Sequence, residues 1–214
     1  MKKIRTTTWT GTVDTAERPY ETEHRKLARE AASAGFVLLK NEHDILPLDR
    51  NQKLALYGAG ASKTIKGGTG SGDVNERSSV TILEGLELAG VEITTKDWIE
   101  YETSREAWKE EIWNKSETMP VDDSMKLFFA YSETPYSMPA GPMPDKTDTD
   151  TAIYVWSRVA GEGADRYCRE GDYLLSEKET RILKEICALY RHVILLINAG
   201  GLVELSILDE CPNI

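Results

Sequence analysis

The chain has 214 residues, a formal charge of −10, 40% hydrophobic and 29% charged residues, which suits one large globular domain with appendages. The acidic balance argues against a general nucleic-acid binder, which needs clustered Lys and Arg to neutralise phosphates. No apolar run approaches the about 20 residues that span a bilayer, so neither nucleic acid nor membrane is expected as a partner.

The first 20 residues are rich in Thr, lack periodicity and read as an N-terminal arm. Their basic residues have no apolar core behind them, unlike a secretory signal. Cys168, Cys187 and Cys211 are scattered and odd in number. They read as reduced thiols, and with the missing signal they lead us to expect a cytoplasmic protein. No Cys and His stand at ligand spacing, so neither metal nor cofactor is expected.

From 22 to 34 the pattern is helical, with Leu27, Ala28, Ala31 and Ala32 on one face and Gly35 placed to stop it. Phe36-Val37-Leu38-Leu39-Lys40-Asn41 reads as a short strand. Residues 54–58 read as a strand of a parallel sheet, because both faces are apolar. It runs into Gly58-Ala59-Gly60-Ala61-Ser62-Lys63. The third glycine of a dinucleotide fingerprint is absent there, and Ser62 stands where a P-loop needs glycine. A tight strand-to-loop turn is the reading for Gly58 and Gly60, and a second glycine run follows from Lys66 to Asp73.

A helix is expected over 79–89, with Ile82, Leu83 and Leu86 inward and Gly90 closing it. A strand is expected over 91–94. Asp97 is placed to cap a long amphipathic helix carrying Trp98, Tyr101, Trp108 and Ile112, an aromatic stripe that reads as core or a domain contact. Another strand or edge element is expected over 126–131. Residues 133–150, with four prolines, read as a long loop. The run 152–156 has the length and β-branched character of a buried strand. Ser176 and Glu179 form a capping box that opens a helix through Ile182, Leu183, Ile186 and Tyr190. A strand over 192–198 and a short helix ending near Leu208 complete the pattern. Alternating strands and helices call for an α/β fold with a largely parallel sheet.

Just past the 152–156 strand, Glu162 sits between Gly161 and Gly163, with Arg158, Asp165 and Arg166 as charged company. Flanking glycines let the backbone approach a ligand, and in open α/β sheets ligands collect at the carboxyl ends of strands. Glu162 is the first candidate for chemistry. The other reading is a loop glutamate that pairs with Arg158 or Arg166. Arg158 itself reads more as one half of a loop-anchoring ion pair than as a ligand contact.

In combination, these stretches resemble glycoside hydrolase family 3, the β-glucosidase and β-xylosidase family. The residues that carry the likeness are Ala28-Arg29-Glu30-Ala31-Ala32-Ser33 through Asn41, Ile45-Leu46-Pro47-Leu48, the 66–75 glycine loop, Ser157-Arg158 with Gly161-Glu162-Gly163, and 193–198 with Gly201. The likeness covers about residues 24–210. It implies an α/β sandwich domain over 21–214, its parallel sheet sandwiched by helices and incomplete at its C-terminal end.

Family members hydrolyse O-glycosidic bonds with retention, which needs two carboxylates about 5–5.5 Å apart. The resemblance implies that Glu162 is the general acid/base. It also implies that Lys66, Gly68, Ser71, Asp73 and Arg158 face an oligosaccharide or β-glycoside on its aglycone side. The nucleophilic aspartate is expected from the enzyme's own barrel domain, so the chain would not be active alone. Lys96-Asp97-Trp98 resembles the family's Asp-Trp nucleophile pair but lies in the wrong domain, and Asp97 is read as a helix cap. The alternative is a non-catalytic carbohydrate-binding or interaction module on the same sandwich.

Overall fold

Strand β3, Thr151–Arg158, is an interior strand of the sheet, and all but its first residue are buried. The computed structural model describes residues 16–67, 78–99, 114, 116–118, 120, 122, 125–126, 142–158 and 167–214. The chain divides into two units, Met1–Pro47 and Leu48–Ile214.

In the first unit, helix α1 spans Pro19–Gly35, with Pro19 at its first position, where its missing N–H costs nothing. Its opening turn is closed by Glu21 Oε2, which accepts the Arg18 N–H at 2.9 Å. None of its residues is buried. Phe36 to Leu39 continue as exposed extended chain rather than the expected strand; the segment pairs with no neighbouring strand among the described residues, and a strand without a ladder is only extended chain. The unit ends in a turn closed by Asn41, whose side chain accepts the Leu46 N–H at 3.1 Å and donates to the Leu46 carbonyl at 2.9 Å.

The second unit is built on a four-stranded sheet in the order β2-β1-β3-β4, with β1 at Lys53–Tyr57, β2 at Glu92–Ile93 and β4 at His192–Ala199. Every pairing is parallel. The β3–β4 ladder is the longest, running in register from Thr151 opposite His192 to Arg158 opposite Ala199.

The pleat sorts the strands' side chains onto two faces. Ala55, Tyr57, Ala152, Tyr154 and Trp156 point one way, onto Ile182, Leu183 and Ile186 of helix α3, Glu177–Leu189. Leu54, Leu56, Ile153 and Val155 point the other way, onto Ile82, Leu83 and Leu86 of α2, Ile82–Leu88, and onto Ile99. Both faces are therefore covered, which is why the middle of β1 and β3 is apolar, with polar residues only at the strand ends. Burying one Leu or Ile fully stabilises the fold by about 1.5–3 kcal/mol. Helix α4, Ile207–Glu210, packs Ile207 into the α3 layer.

Local chemistry sets the ends of these elements. Ser176 accepts the Glu179 N–H at 3.2 Å and Glu179 accepts the Ser176 N–H at 2.8 Å, the expected capping box of α3. Thr81 and Glu84 form a second box that starts α2 three residues after the expected beginning at 79. Asp97 is not a cap. The helical turn begins at Lys96, and Thr95 precedes it with its hydroxyl held on Leu56 main chain at 2.8 and 2.6 Å. Trp98, half-buried, stacks edge-on to Tyr57 with ring centroids 5.2 Å apart and donates to the Pro142 carbonyl at 3.0 Å. It is a core contact; Tyr101, Trp108 and Ile112 lie outside the described residues. Lys126 is helical, and the remainder of the expected 126–131 strand also lies outside them. Among the described residues, no helix is long and apolar enough to cross a membrane. Cys168, Cys187 and Cys211 are free thiols.

Candidate functional site at the carboxyl end of the sheet

Two segments of interest leave the sheet at its carboxyl end, and each is rooted on both sides. The first runs from 159 to 166 and carries Glu162, which lies outside the described residues together with Gly68, Ser71 and Asp73. Its entry is Arg158, the last residue of β3. Arg158 is fully buried, and all five of its N–H donors are engaged. Nε donates to the Asp172 carbonyl at 2.9 Å. Nη1 donates to the Ser157 carbonyl at 2.8 Å and to Glu179 Oε1 at 2.7 Å. Nη2 donates to Glu179 Oε2 at 2.7 Å and to the Leu174 carbonyl at 3.3 Å. The forked contact to Glu179 matches guanidinium to carboxylate, the geometry in which such pairs are strongest.

Arg158 is fully buried in an ion pair with Glu179, which favours the loop-anchoring reading of this residue over the substrate contact that the family resemblance implies. A guanidinium has only five N–H groups, and none is left over. Arg158 is the loop anchor. The exit of the segment is fixed to the same place as its entry. The Asp172 carboxylate accepts the Tyr167 N–H at 3.0 Å and sits 3.7 Å from Arg169 Nε. Both ends of the 159–166 segment are thus tied to Asp172, one through its carbonyl and one through its side chain.

The second segment is the glycine run that starts at Lys66. Gly58 takes a φ of 90°, turning the chain out of β1, and a side chain there would strike the Val155 carbonyl at 2.2 Å. Gly60 then passes over the end of β3, where an added Cβ would lie 1.8 Å from Ser157 Oγ. Both glycines are required by close backbone approach, the turn reading that the sequence favours. Thr64 Oγ1 donates to the Gly60 carbonyl at 3.0 Å and accepts the Ile82 N–H at 2.9 Å, so the root of the run is joined to the start of α2. Ile65 is held by Asn198 of β4 through two bonds, at 2.7 and 2.9 Å. Lys66 follows and is exposed.

Residues 36–214 match the family model for the glycosyl hydrolase family 3 C-terminal domain. The chain belongs to that family. The family 3 chain is 32% identical to a beta-glucosidase of Ruminococcus albus over 198 residues, which is 88% of this chain and 19% of the relative. It is 31% identical to beta-glucosidase A of Butyrivibrio fibrisolvens, over 85% of this chain and 23% of that one. It thus spans about a fifth of the length of the curated relatives it matches.

Among solved structures it superimposes on beta-glucosidase 3B of Thermotoga neapolitana, determined in complex with alpha-D-glucose. The TM-score is 0.64 at 31% identity, covering 92% of this chain and 27% of the other. A beta-glucosidase of Paenibacillus barengoltzii gives a TM-score of 0.67 at 26% identity, covering 86% of this chain and 19% of the other. The four-stranded parallel sheet and its helices are those of a family 3 α/β domain.

Sequence reasoning did not single out Asp172, Glu179 as the partner of Arg158, or Asn198 as a tie. Glu179 was visible only as a capping residue. Asn198 could have been noticed as a polar side chain ending an otherwise apolar strand.

Proposed function

We propose that this domain supplies the general acid/base of a retaining β-glycosidase of the β-glucosidase type, with Glu162 as that residue. The observation that carries the reading is the double rooting of the Glu162 segment on Asp172 at the carboxyl edge of the sheet, in a chain of a family whose relatives are β-glucosidases. A proton donor that must serve both half-reactions has to return to one position, and a short segment tied at both ends to one residue achieves that. In this reading Glu162 protonates the departing glycosidic oxygen and then takes a proton from the water that releases the sugar. A carboxylic acid holds its proton near neutral pH when burial or a second carboxylate raises its pKa. A barrel domain outside these 214 residues supplies the second carboxylate as nucleophile. Lys66, Gly68, Ser71 and Asp73 shape the aglycone side, where glycines let main chain approach the sugar.

The test is Glu162→Gln in the full-length enzyme. Turnover of β-glycosides with poor leaving groups should fall by about 10²–10⁴-fold, the usual contribution of general acid–base catalysis, and activated aryl glycosides should be much less affected. Wild-type turnover on both substrate types would remove Glu162 from the mechanism. Unchanged sugar binding without turnover in the wild type would favour a binding module instead.

A further inference from the structure

The sheet order puts β3 between β1 and β4, so a chain leaving β1 must cross the end of β3 before it can touch β4. Residues 58–65 make that crossing. Gly60 lies against Ser157 at the end of β3, and Ile65 arrives beside Asn198 near the end of β4. Asn198 Nδ2 donates to the Ile65 carbonyl at 2.9 Å, and its Oδ1 accepts the Ile65 N–H at 2.7 Å. One side-chain amide thus pairs with both main-chain groups of one residue, as a neighbouring strand would. Ser157 Oγ donates to the same Oδ1 at 3.3 Å, which ties the amide to the residue of β3 just before Arg158. The chain uses the same device elsewhere: Asn41 holds both main-chain groups of Leu46 to close a turn. At Asn41 the tie is local, to a residue five positions further on. At Asn198 the partner is 133 residues away, and what the tie fixes is the place from which Lys66 departs.

We infer that Asn198 is a positioning residue for the glycosidase site. Through Ile65 it sets Lys66 at the β3–β4 edge, beside the strand end from which the Glu162 segment emerges. The inference rests on the reading under Proposed function and deepens it, because it assigns the placement of Lys66 to a side chain in β4. Proton transfer belongs to the other root, held by Arg158 and Asp172, so the two functions separate. Loss of Asn198 raises KM and leaves the chemistry of Glu162 in place.

The experiment has two arms. In the 214-residue chain, hydrogen exchange at the Ile65 amide should accelerate by about tenfold or more in Asn198→Ala, because its acceptor is gone, and stay slow in Ser157→Ala. In the full-length enzyme, Asn198→Ala should raise KM for a β-glucoside about tenfold, with kcat within about threefold and the pH profile of kcat unmoved. Asn198→Asp fills the same space, keeps an acceptor for the Ile65 N–H and lacks the donor to the Ile65 carbonyl. It should shift KM in the same direction by less, and it serves if the alanine variant folds poorly. Unchanged exchange at Ile65 overturns the inference. So does an active enzyme whose KM ignores both Asn198 variants, or one whose kcat pH profile moves with them. A wild-type enzyme that turns over no β-glycoside would instead sink the reading under Proposed function, and this inference with it.

Discussion

Beside the amino ends of β3 and β4, the Tyr57 and Tyr190 hydroxyls lie 2.8 Å apart and share the Asp145 carbonyl at 3.0 and 3.1 Å. Thr147 donates its N–H to the Tyr190 hydroxyl at 3.1 Å, and its own hydroxyl meets that of Thr94 at 2.7 Å. At the carboxyl ends the polar groups are of another kind: a buried Arg158–Glu179 pair, the Asp172 carboxylate and the Asn198 amide. The amino-end network closes on itself and joins elements already adjacent in the sheet. The carboxyl-end groups each hold the root of a segment that leaves the sheet. Polar groups at one end tie elements of the fold to one another, while at the other they hold the residues at which the two candidate segments begin.

The comparison breaks first at the carboxyl-end anchor. Arg158→Met leaves the Glu179 carboxylate, 3% exposed, without its partner. Removing one member of a buried pair costs about 3–5 kcal/mol, read as a lower urea midpoint with unchanged slope. Arg158→Met with Glu179→Leu should recover part of that, because no buried charge is left unpaired, while the bonds to the Ser176 N–H and to the Asp172, Ser157 and Leu174 carbonyls stay lost. A single variant that costs under about 1 kcal/mol would show that the pair does not hold the segment.

The glycines give a smaller effect. Gly60→Ala drives a methyl group into Ser157 and should cost about 1–3 kcal/mol by overpacking. Gly85, inside α2, meets nothing nearer than Val80 Cγ1 at 3.9 Å. Gly85→Ala should therefore stabilise by about 0.4–1 kcal/mol. Equal changes at the two sites, measured by thermal unfolding, would remove close approach as the reason for glycine over β3.

The elements that the sequence marks well are those whose reason is local. A strand packed between helices carries an unbroken apolar run between polar ends, so β1, β3 and β4 are legible to within a few residues. The Ser176–Glu179 box marks the start of α3 because both members lie within one turn. What escapes is set by distant partners. The segment 36–39 has a strand's composition and no ladder. Asp97 has a cap's chemistry, yet Thr95 precedes the turn. Arg158 and Glu179 are each visible, but the crossover from β3 to α3 decides that they meet. The candidate site divides the same way: Glu162 stands out by its flanking glycines and its family likeness, whereas Asp172 and Asn198 act only through main-chain groups that folding brings to them.

The amino-end network gives an effect visible as a pH dependence. Tyr57→Phe removes one hydroxyl from the Tyr57–Tyr190–Asp145 cluster. The Asp145 carbonyl keeps its bond from Tyr190, so the cost at neutral pH should be about 1–2 kcal/mol. In the folded protein the Tyr57 phenol is held well above its ordinary value near 10, first by burial and then by its bond to Tyr190. In the unfolded chain it ionises near 10. Above that pH the folded state holds a proton that the unfolded state has released, so stability falls as pH rises, by about 1.4 kcal/mol per pH unit for this one group. Below pH 10 the contribution is complete and flat. Phenylalanine has no such proton, so the variant should lose stability less steeply, and its deficit should close within about one pH unit above 10. The burial-raised Cys187 thiol contributes to the alkaline loss in both proteins and cancels in the difference. Parallel stability curves from pH 9 to 11 would mean that the Tyr57 hydroxyl is open to water, and the closed network at the amino end would lose its distinction from the carboxyl end.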